Sequence, residues 1–440
     1  MRLLVACDDS GSIKEVLCNR KTDTSVQTAP QPFHIGTHLT EGLANRVEIM
    51  QKVSDDSILV ARANGTVQVL KLDLVSRPEE NQNSEIGPNF DISDLKVVSS
   101  VQGLLDDSVL LELHKKSKKR STPRDGFIAL QTVPGASDKV VCASKSGHIH
   151  ILSLKDNKLH IFKSHAVKAP LEFVQFYDNQ IDVASKKRFT TLAYGGEENL
   201  IKLAKLSPNF DKLEQFWQAK NVSNDKLDLK VPIWPMQLKF MNPTPDADVN
   251  GDDYHFLALN RLGHIREYDT KRGRKPKSSH PLLPKNEIAT NLQVLNTDLT
   301  PLGNIKSESF DNLEVLITDS KRNVLACDTS PRTIGKYGAG EITGATTFVS
   351  VVEKKYLLQC GLDRYVRIFD VESRALLCKV YLGAKASSVL LIDDQEVEVP
   401  QPESSEKKRK VKDRDVEAEA LEDEEIWTTL EGTAKKTRTN

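Results

Sequence analysis

Seven times the chain runs an apolar strand into a tight polar turn and returns as a second strand. The two sharpest copies are Ala193–Leu203 (AYGGEENLIKL) and Cys360–Asp370 (CGLDRYVRIFD). Looser copies are Leu3–Val16, Ile58–Leu72 around Asn64-Gly65, Val141–Leu154 around Ser146-Gly147, Leu257–Asp269 around Leu262-Gly263, and Val315–Asp328 around Arg322-Asn323. Side chains of a strand alternate between two faces, so each copy is a β-hairpin pattern and not a helical one. A hairpin recurring at blade-sized spacing predicts an all-β fold, a seven-bladed WD40-type β-propeller.

Aligned on the residue two before the returning strand's first apolar position, the copies stand at 11, 65, 147, 199, 263, 322 and 364. The intervals are 54, 82, 52, 64, 59 and 42, so only the last matches a minimal blade of roughly 40–45 residues. The 82-residue interval needs a large insertion, and the charged stretch 73–125, with Lys115–Arg120, is expected to be largely a mobile loop around a strand near Leu95–Val101. For the fifth blade, Val231–Phe240 is expected as the innermost strand, although Pro232 and Pro235 fit only a strand start or bulge. Thr347–Val352 takes that place in the seventh blade, and Leu376–Leu382 is its outer strand. Ser387–Asp393 is then one strand too many, while Met1 starts almost directly in the second strand of the first blade. Residues 387–393 are therefore expected to complete that blade and remove an open edge. The propeller would span 1–395, and 396–440 a disordered charged tail.

Net charge is −1, so there is no overall basic field to hold nucleic acid nonspecifically. The six cysteines form no CxxC pair and read as buried free thiols in a reducing compartment. The run Leu3–Cys7 is too short for a signal peptide, and no stretch approaches a membrane span, so no membrane partner is expected. No metalloprotease, serine-hydrolase or phosphate-loop motif and no metal-spaced Cys/His cluster occurs; Gly338–Gly344 reads as a turn. No catalytic residue, metal ligand or cofactor site is assigned. His148, His150 and His264 read as packed or surface residues of hairpins.

In a propeller, the turns joining second and third strands emerge on one end of the ring, beside the loops entering each blade. That places Asp9, Asn64, Lys145, Glu197, Glu198, Arg261, Lys321, Arg322, Asp363 and Arg364 around one face. Lys220, Asn221, Asn224 and Asp225 of the loop Lys220–Lys230 are expected to join them. Such a mixed-charge ring suits a protein partner, or RNA backbone held by Lys and Arg; the plainer reading is that charged turns keep the face soluble. In the tail, Lys407, Lys408, Arg409, Lys410 and Lys412 read as a nuclear import signal or a solvated charge run. Ile426, Trp427 and Leu430 would share one face of a helix, a short docking peptide or residual apolar content.

Three segments carry a closer likeness: Tyr194–Leu203, Asn224–Pro235 and Gly361–Asp370. With the opening Met1–Val5 and the tail Glu425–Glu431, the chain resembles the nucleolar WD-repeat family of large-subunit (60S) ribosome-assembly factors, fungal and animal, over residues 1 to about 431. The resemblance weakens in 73–125. It implies a non-catalytic scaffold in the nucleus and nucleolus that joins pre-60S particles. The implied partners are assembly factors and large-subunit ribosomal proteins, with pre-rRNA as a further contact and an AAA-type ATPase driving release. The alternative is a nuclear WD-repeat adaptor in a ubiquitin-ligase or chromatin complex. Phe369-Asp370, Tyr268-Asp269 and Cys327-Asp328 replace the usual Trp-Asp pair, so the side-chain network of ordinary WD repeats does not carry over to this chain by resemblance alone.

Overall fold

The computed structural model describes residues 1–76, 90–116, 121–133, 136–177, 190–224, 226–241, 253–284, 287–300, 302–307, 309–329 and 332–398. Asp225, the run 407–412 and Ile426, Trp427 and Leu430 lie outside them. All described strands belong to one compact unit, Met1–Ser76 with Asp91–Glu396. They form seven four-stranded antiparallel sheets, a seven-bladed β-propeller.

Counted from the axis outward, blade 1 is Ala386–Asp393, Arg2–Cys7, Ser12–Leu17 and His34–His38. Blade 2 is Val47–Ser54, Ser57–Arg62, Thr66–Ser76 and Asp91–Val101, and blade 3 is Phe127–Val133, Ala136–Ser144, His148–Lys155 and Lys158–Ala166. Blade 4 is Phe173–Phe176, Thr190–Gly196, Asn199–Leu206 and Leu213–Gln218. Blade 5 is Pro235–Phe240, His255–Asn260, His264–Asp269 and Ser278–Pro281. Blade 6 is Ala289–Val294, Glu314–Asp319, Val324–Asp328 and Thr333–Lys336, and blade 7 is Thr346–Val352, Tyr356–Gly361, Tyr365–Asp370 and Leu376–Tyr381. Each innermost strand touches the innermost strands of the blades on either side, and blade 7 touches blade 1, so the ring closes.

The core follows from strand alternation. Leu3 and Val5 point into a cluster with Leu358 and Ile368 of blade 7, while Leu4 and Ala6, one residue out of phase, pack with Ile58, Val60 and Leu70 of blade 2. A middle strand is thus buried on both faces and reads as a continuous apolar run. Each such leucine stabilises the ring by roughly 1.5–3 kcal/mol. Closure comes from the far end of the chain, as the sequence predicts. Ala386–Asp393 pairs antiparallel with Arg2–Cys7, with Leu4 opposite Leu390 and Val5 opposite Val389. At the seam between blades 1 and 7, Cys18 Sγ lies 3.1 Å from Cys378 Sγ. All six cysteines are buried and free.

One sequence expectation is corrected. The innermost strand of blade 5 begins at Pro235, not Val231, because residues 231–234 form part of the loop entering that blade. Within 73–125, where a strand near Leu95–Val101 is expected, the described part supplies a long fourth strand, Asp91–Val101, paired with Thr66–Ser76 from Val67↔Val101 to Ser76↔Asp91. It also holds a helix, Ser108–Lys115, which buries Leu110. Residues 77–89 and 117–120 lie outside the description.

Candidate interaction face

The turns between second and third strands do sit beside the entering loops, tied to them by backbone hydrogen bonds. Lys145 N–H donates to Gly126 O (3.0 Å), Glu198 N–H to Ile233 O (2.9 Å), Arg261 N–H to Trp234 O (2.9 Å), and Leu362 N–H to Ala345 O (3.0 Å). Several turns need a left-handed residue. Glu198 (φ 48°) and Arg364 (φ 66°) adopt it where other blades use Gly11, Gly65, Gly147 or Gly263.

Beneath the turns lies a polar anchor that sequence reasoning missed. The second residue of the third strand's apolar run is Lys14, Gln68, His150, Lys202, Arg266 or Arg367 in six of the seven blades. Most of these side chains reach the loop entering their own blade. Lys14 Nζ donates to Leu382 O (2.6 Å), Gln68 Nε2 to Glu41 Oε1 (3.3 Å), His150 Nε2 to Leu104 O (3.0 Å), and Arg367 Nη2 to Glu341 O (2.7 Å). Lys202 bonds Asn199, whose Nδ2 donates to Lys168 O (2.6 Å) and Pro170 O (3.1 Å). Burial pushes the Lys202 amine down to about 8. These bonds fix the loops in place of the Trp-Asp network. The signal was visible as one polar residue at a constant place within an apolar strand, whose side chain must find a partner when buried.

The predicted residues divide accordingly. Asp363 turns inward: its side chain is 5% exposed, and Oδ2 pairs with the fully buried Arg367 Nη2 at 2.7 Å. Burial alone would raise its carboxyl, but Arg367 and the Thr343 and Tyr365 amides outweigh that and hold it below the ordinary carboxylate value. Glu198 is exposed and 3.4 Å from Lys230 Nζ. Glu197 is half-buried beside it. Lys321 is exposed, with its amine 2.8 Å from Glu287, which raises its pKa. Arg261 stacks on Trp234, 4.5 Å to the ring centre, and Trp234 Nε1 donates to Glu172 (3.1 Å). Lys145, Arg322 and Arg364 are exposed, and among the described residues none of their side chains makes an ion pair.

The entering loop of blade 5 is built by its own side chains. Asn221 Nδ2 donates to Val231 O (2.7 Å), and Asn224 Nδ2 to Asp228 Oδ1 (2.9 Å). Lys220 N–H donates to Arg274 O (2.7 Å) in the outer loop of blade 5, which puts Lys220 at the rim. This structure carries two leucines outward, Leu227 at 78% and Leu229 at 60% exposure. Leu262 and Leu362, in the turns of blades 5 and 7, are also exposed. In the sequence these leucines carry no signal beside the loop's charges, because Leu exposure is set only by tertiary structure. Large apolar side chains ringed by charge form the pattern of a protein-binding surface. Among the described residues no group of His, Cys, Asp and Glu is placed to hold a metal, and no helix is long and apolar enough to cross a membrane.

No family model matches the chain. Full-length relatives do. It is 42% identical over 437 residues to ribosome biogenesis protein NSA1 of Eremothecium gossypii, covering 99% of this chain and 98% of that one. It is 42% identical over 453 residues to the Saccharomyces cerevisiae (strain S288c) protein of the same name, covering 98% and 97%. The chain belongs to the NSA1 family of ribosome biogenesis proteins. A Candida glabrata NSA1 protein aligns over the whole of both chains at 42% identity. The resemblance drawn from Tyr194–Leu203, Asn224–Pro235 and Gly361–Asp370 is thereby upheld. Among solved structures, the WD40 β-propeller domain of Doa1 superposes with a TM-score of 0.46 at 13% identity, over 78% of this chain and 84% of that one. For this NSA1-family chain the propeller assignment stands on its own strand pairing.

Proposed function

We propose that this protein is a non-catalytic scaffold in assembly of the large (60S) ribosomal subunit, acting in the nucleus and nucleolus. Family membership supports the assembly role, since relatives of 42% identity over nearly the whole chain carry the name ribosome biogenesis protein. The observation that carries the mode of action is the pair of outward leucines, Leu227 and Leu229, on a loop braced by Asn221 and Asn224. A braced loop loses little entropy on docking, so its apolar contacts are available for binding. In this reading the loop and the turns of blades 4–7 dock on pre-60S assembly factors or large-subunit ribosomal proteins. Arg322 and Arg364 supply cations toward acidic partners or pre-rRNA, and an AAA-type ATPase removes the protein from the particle.

The test is sedimentation of a tagged full-length chain from gently lysed cells, with precursor rRNA probed in each fraction. Co-migration with a particle near 60S that contains precursor is expected. A Leu227→Asp/Leu229→Asp chain should shift to the light fractions while keeping its circular dichroism spectrum. Migration of the unaltered chain as a small free species would instead favour a nuclear adaptor for a ubiquitin-ligase or chromatin complex.

A further inference from the structure

On the opposite end of the ring from the turns, the described residues of the connection between first and second strands of blade 6, 295–300, 302–307 and 309–313, reach across to three other blades. Gln175 Nε2 of blade 4 donates to Leu302 O (2.7 Å), and Asn304 Nδ2 returns a bond to Phe176 O (3.0 Å). Ile305 N–H donates to Phe240 O of blade 5 (2.7 Å), and Asp298 pairs with Lys354 of blade 7 at 2.8 Å. This strap and the inner strands of blades 5, 6 and 7 line a half-open cavity of about 660 Å³. That volume lies in the range of small-molecule and side-chain binding sites.

One wall of the cavity is formed by Lys239, on the innermost strand of blade 5. Its amine is close to Gly303 of the strap, where a Cβ would lie 3.0 Å from Nζ. Among the described residues Lys239 has no hydrogen-bond or ion-pair partner. Desolvation pushes its amine down to about 8. Lys239 is half-buried and lines the cavity, so an anion bound there would pair with its amine and favour the ammonium. Beside it stand Val294, Leu302 and Val351, an apolar surface for an aliphatic stem.

We propose that this cavity is a binding site for a carboxylate on an aliphatic stem, presented by a partner polypeptide as an acidic side chain or a free C-terminus, with Lys239 as the cation that receives it. Asp298 and Glu353 also line the cavity, but Asp298 is already paired with Lys354, so a single carboxylate at Lys239 meets less repulsion than a run of phosphates would. Any occupant would lie at the end of the ring opposite Leu227 and Leu229, so the inference does not rest on the assembly role.

The experiment uses the full-length chain with its lysines reductively ¹³C-methylated, and Lys239→Met to assign the Lys239 resonance. N-acetylglutamate amide (side-chain carboxylate) and N-acetylleucine (terminal carboxylate) are titrated separately, alongside a dinucleotide monophosphate. Saturable shifts of the Lys239 signal with one or both carboxylates are expected, and which of them binds identifies the source. The signal's titration midpoint should also rise from about 8, because a bound carboxylate favours the ammonium. No saturable shift with either carboxylate at millimolar concentrations, or an equal response to the dinucleotide, would overturn the proposal. A Lys239→Met chain that retains its circular dichroism spectrum but still binds the carboxylates elsewhere would overturn Lys239's role.

Discussion

At the residue scale, the buried polar groups decide where this fold is vulnerable. Arg367 and Asp363 are both withdrawn from solvent, with Arg367 also bonded to Gln359 Oε1 (3.1 Å) and Glu341 O. Asp363→Ala leaves an uncompensated guanidinium, and its expected cost is about 3–5 kcal/mol, read as a lowered urea midpoint. Replacing both partners by leucine should cost much less than the two single changes added together. Glu15 gives a pH-dependent counterpart. Burial raises its carboxyl, but the nearby His38 ring, bonds from Ser93 and the charge of Arg2 outweigh this and lower it from 4.5 to about 2. Its folded-state value is depressed, so the unfolded chain binds the extra proton. Its contribution is therefore complete above 4.5 and lost as pH falls toward 2. At 1.36 kcal/mol per pH unit, that is roughly 3 kcal/mol. Acid titration of unfolding free energy should show this loss, and Glu15→Gln should flatten the profile across that window.

At the element scale, the ring depends on one strand supplied from the far end of the sequence. Ala386–Asp393 is the innermost strand of blade 1, and Ser387 Oγ also donates to Val47 O of blade 2 (2.7 Å). A chain ending at 385 should lose cooperative unfolding, while one ending at 398 should keep it, as seen in thermal melts of the two. Equal, sharp melts for both truncations would mean that blade 1 stands on three strands. The strand Asp91–Val101 teaches the same lesson from inside the chain. Its partner, Thr66–Ser76, is separated from it by residues outside the description, so the pairing rests on contacts that no local pattern records.

At the scale of the whole molecule, two ends of one ring carry different chemistry. The turn end presents exposed leucines with Arg322 and Arg364, and the strap end holds a cavity around Lys239. Arg322→Glu/Arg364→Glu should reduce particle association about tenfold or more, with a weaker salt dependence in what remains, as measured by sedimentation at two ionic strengths. Reversal of Lys321 tests the face less cleanly, because that amine is already paired with Glu287.

The sequence alone determined the hairpins, their number and the closing strand, because alternation and turn chemistry act over a few residues and survive in the linear pattern. It also placed the turns on one face, since every blade repeats the same connection. Only the tertiary structure decided that Asp363 is internal while Arg364, its neighbour, is free. Solvent exposure and the company of a buried Arg367 depend on how blades pack. The same reason explains why Leu227 and Leu229 could not be read as exposed, and why Lys239 could not be placed at a cavity. Burial is a property of neighbours distant in sequence, and the chain alone does not carry it.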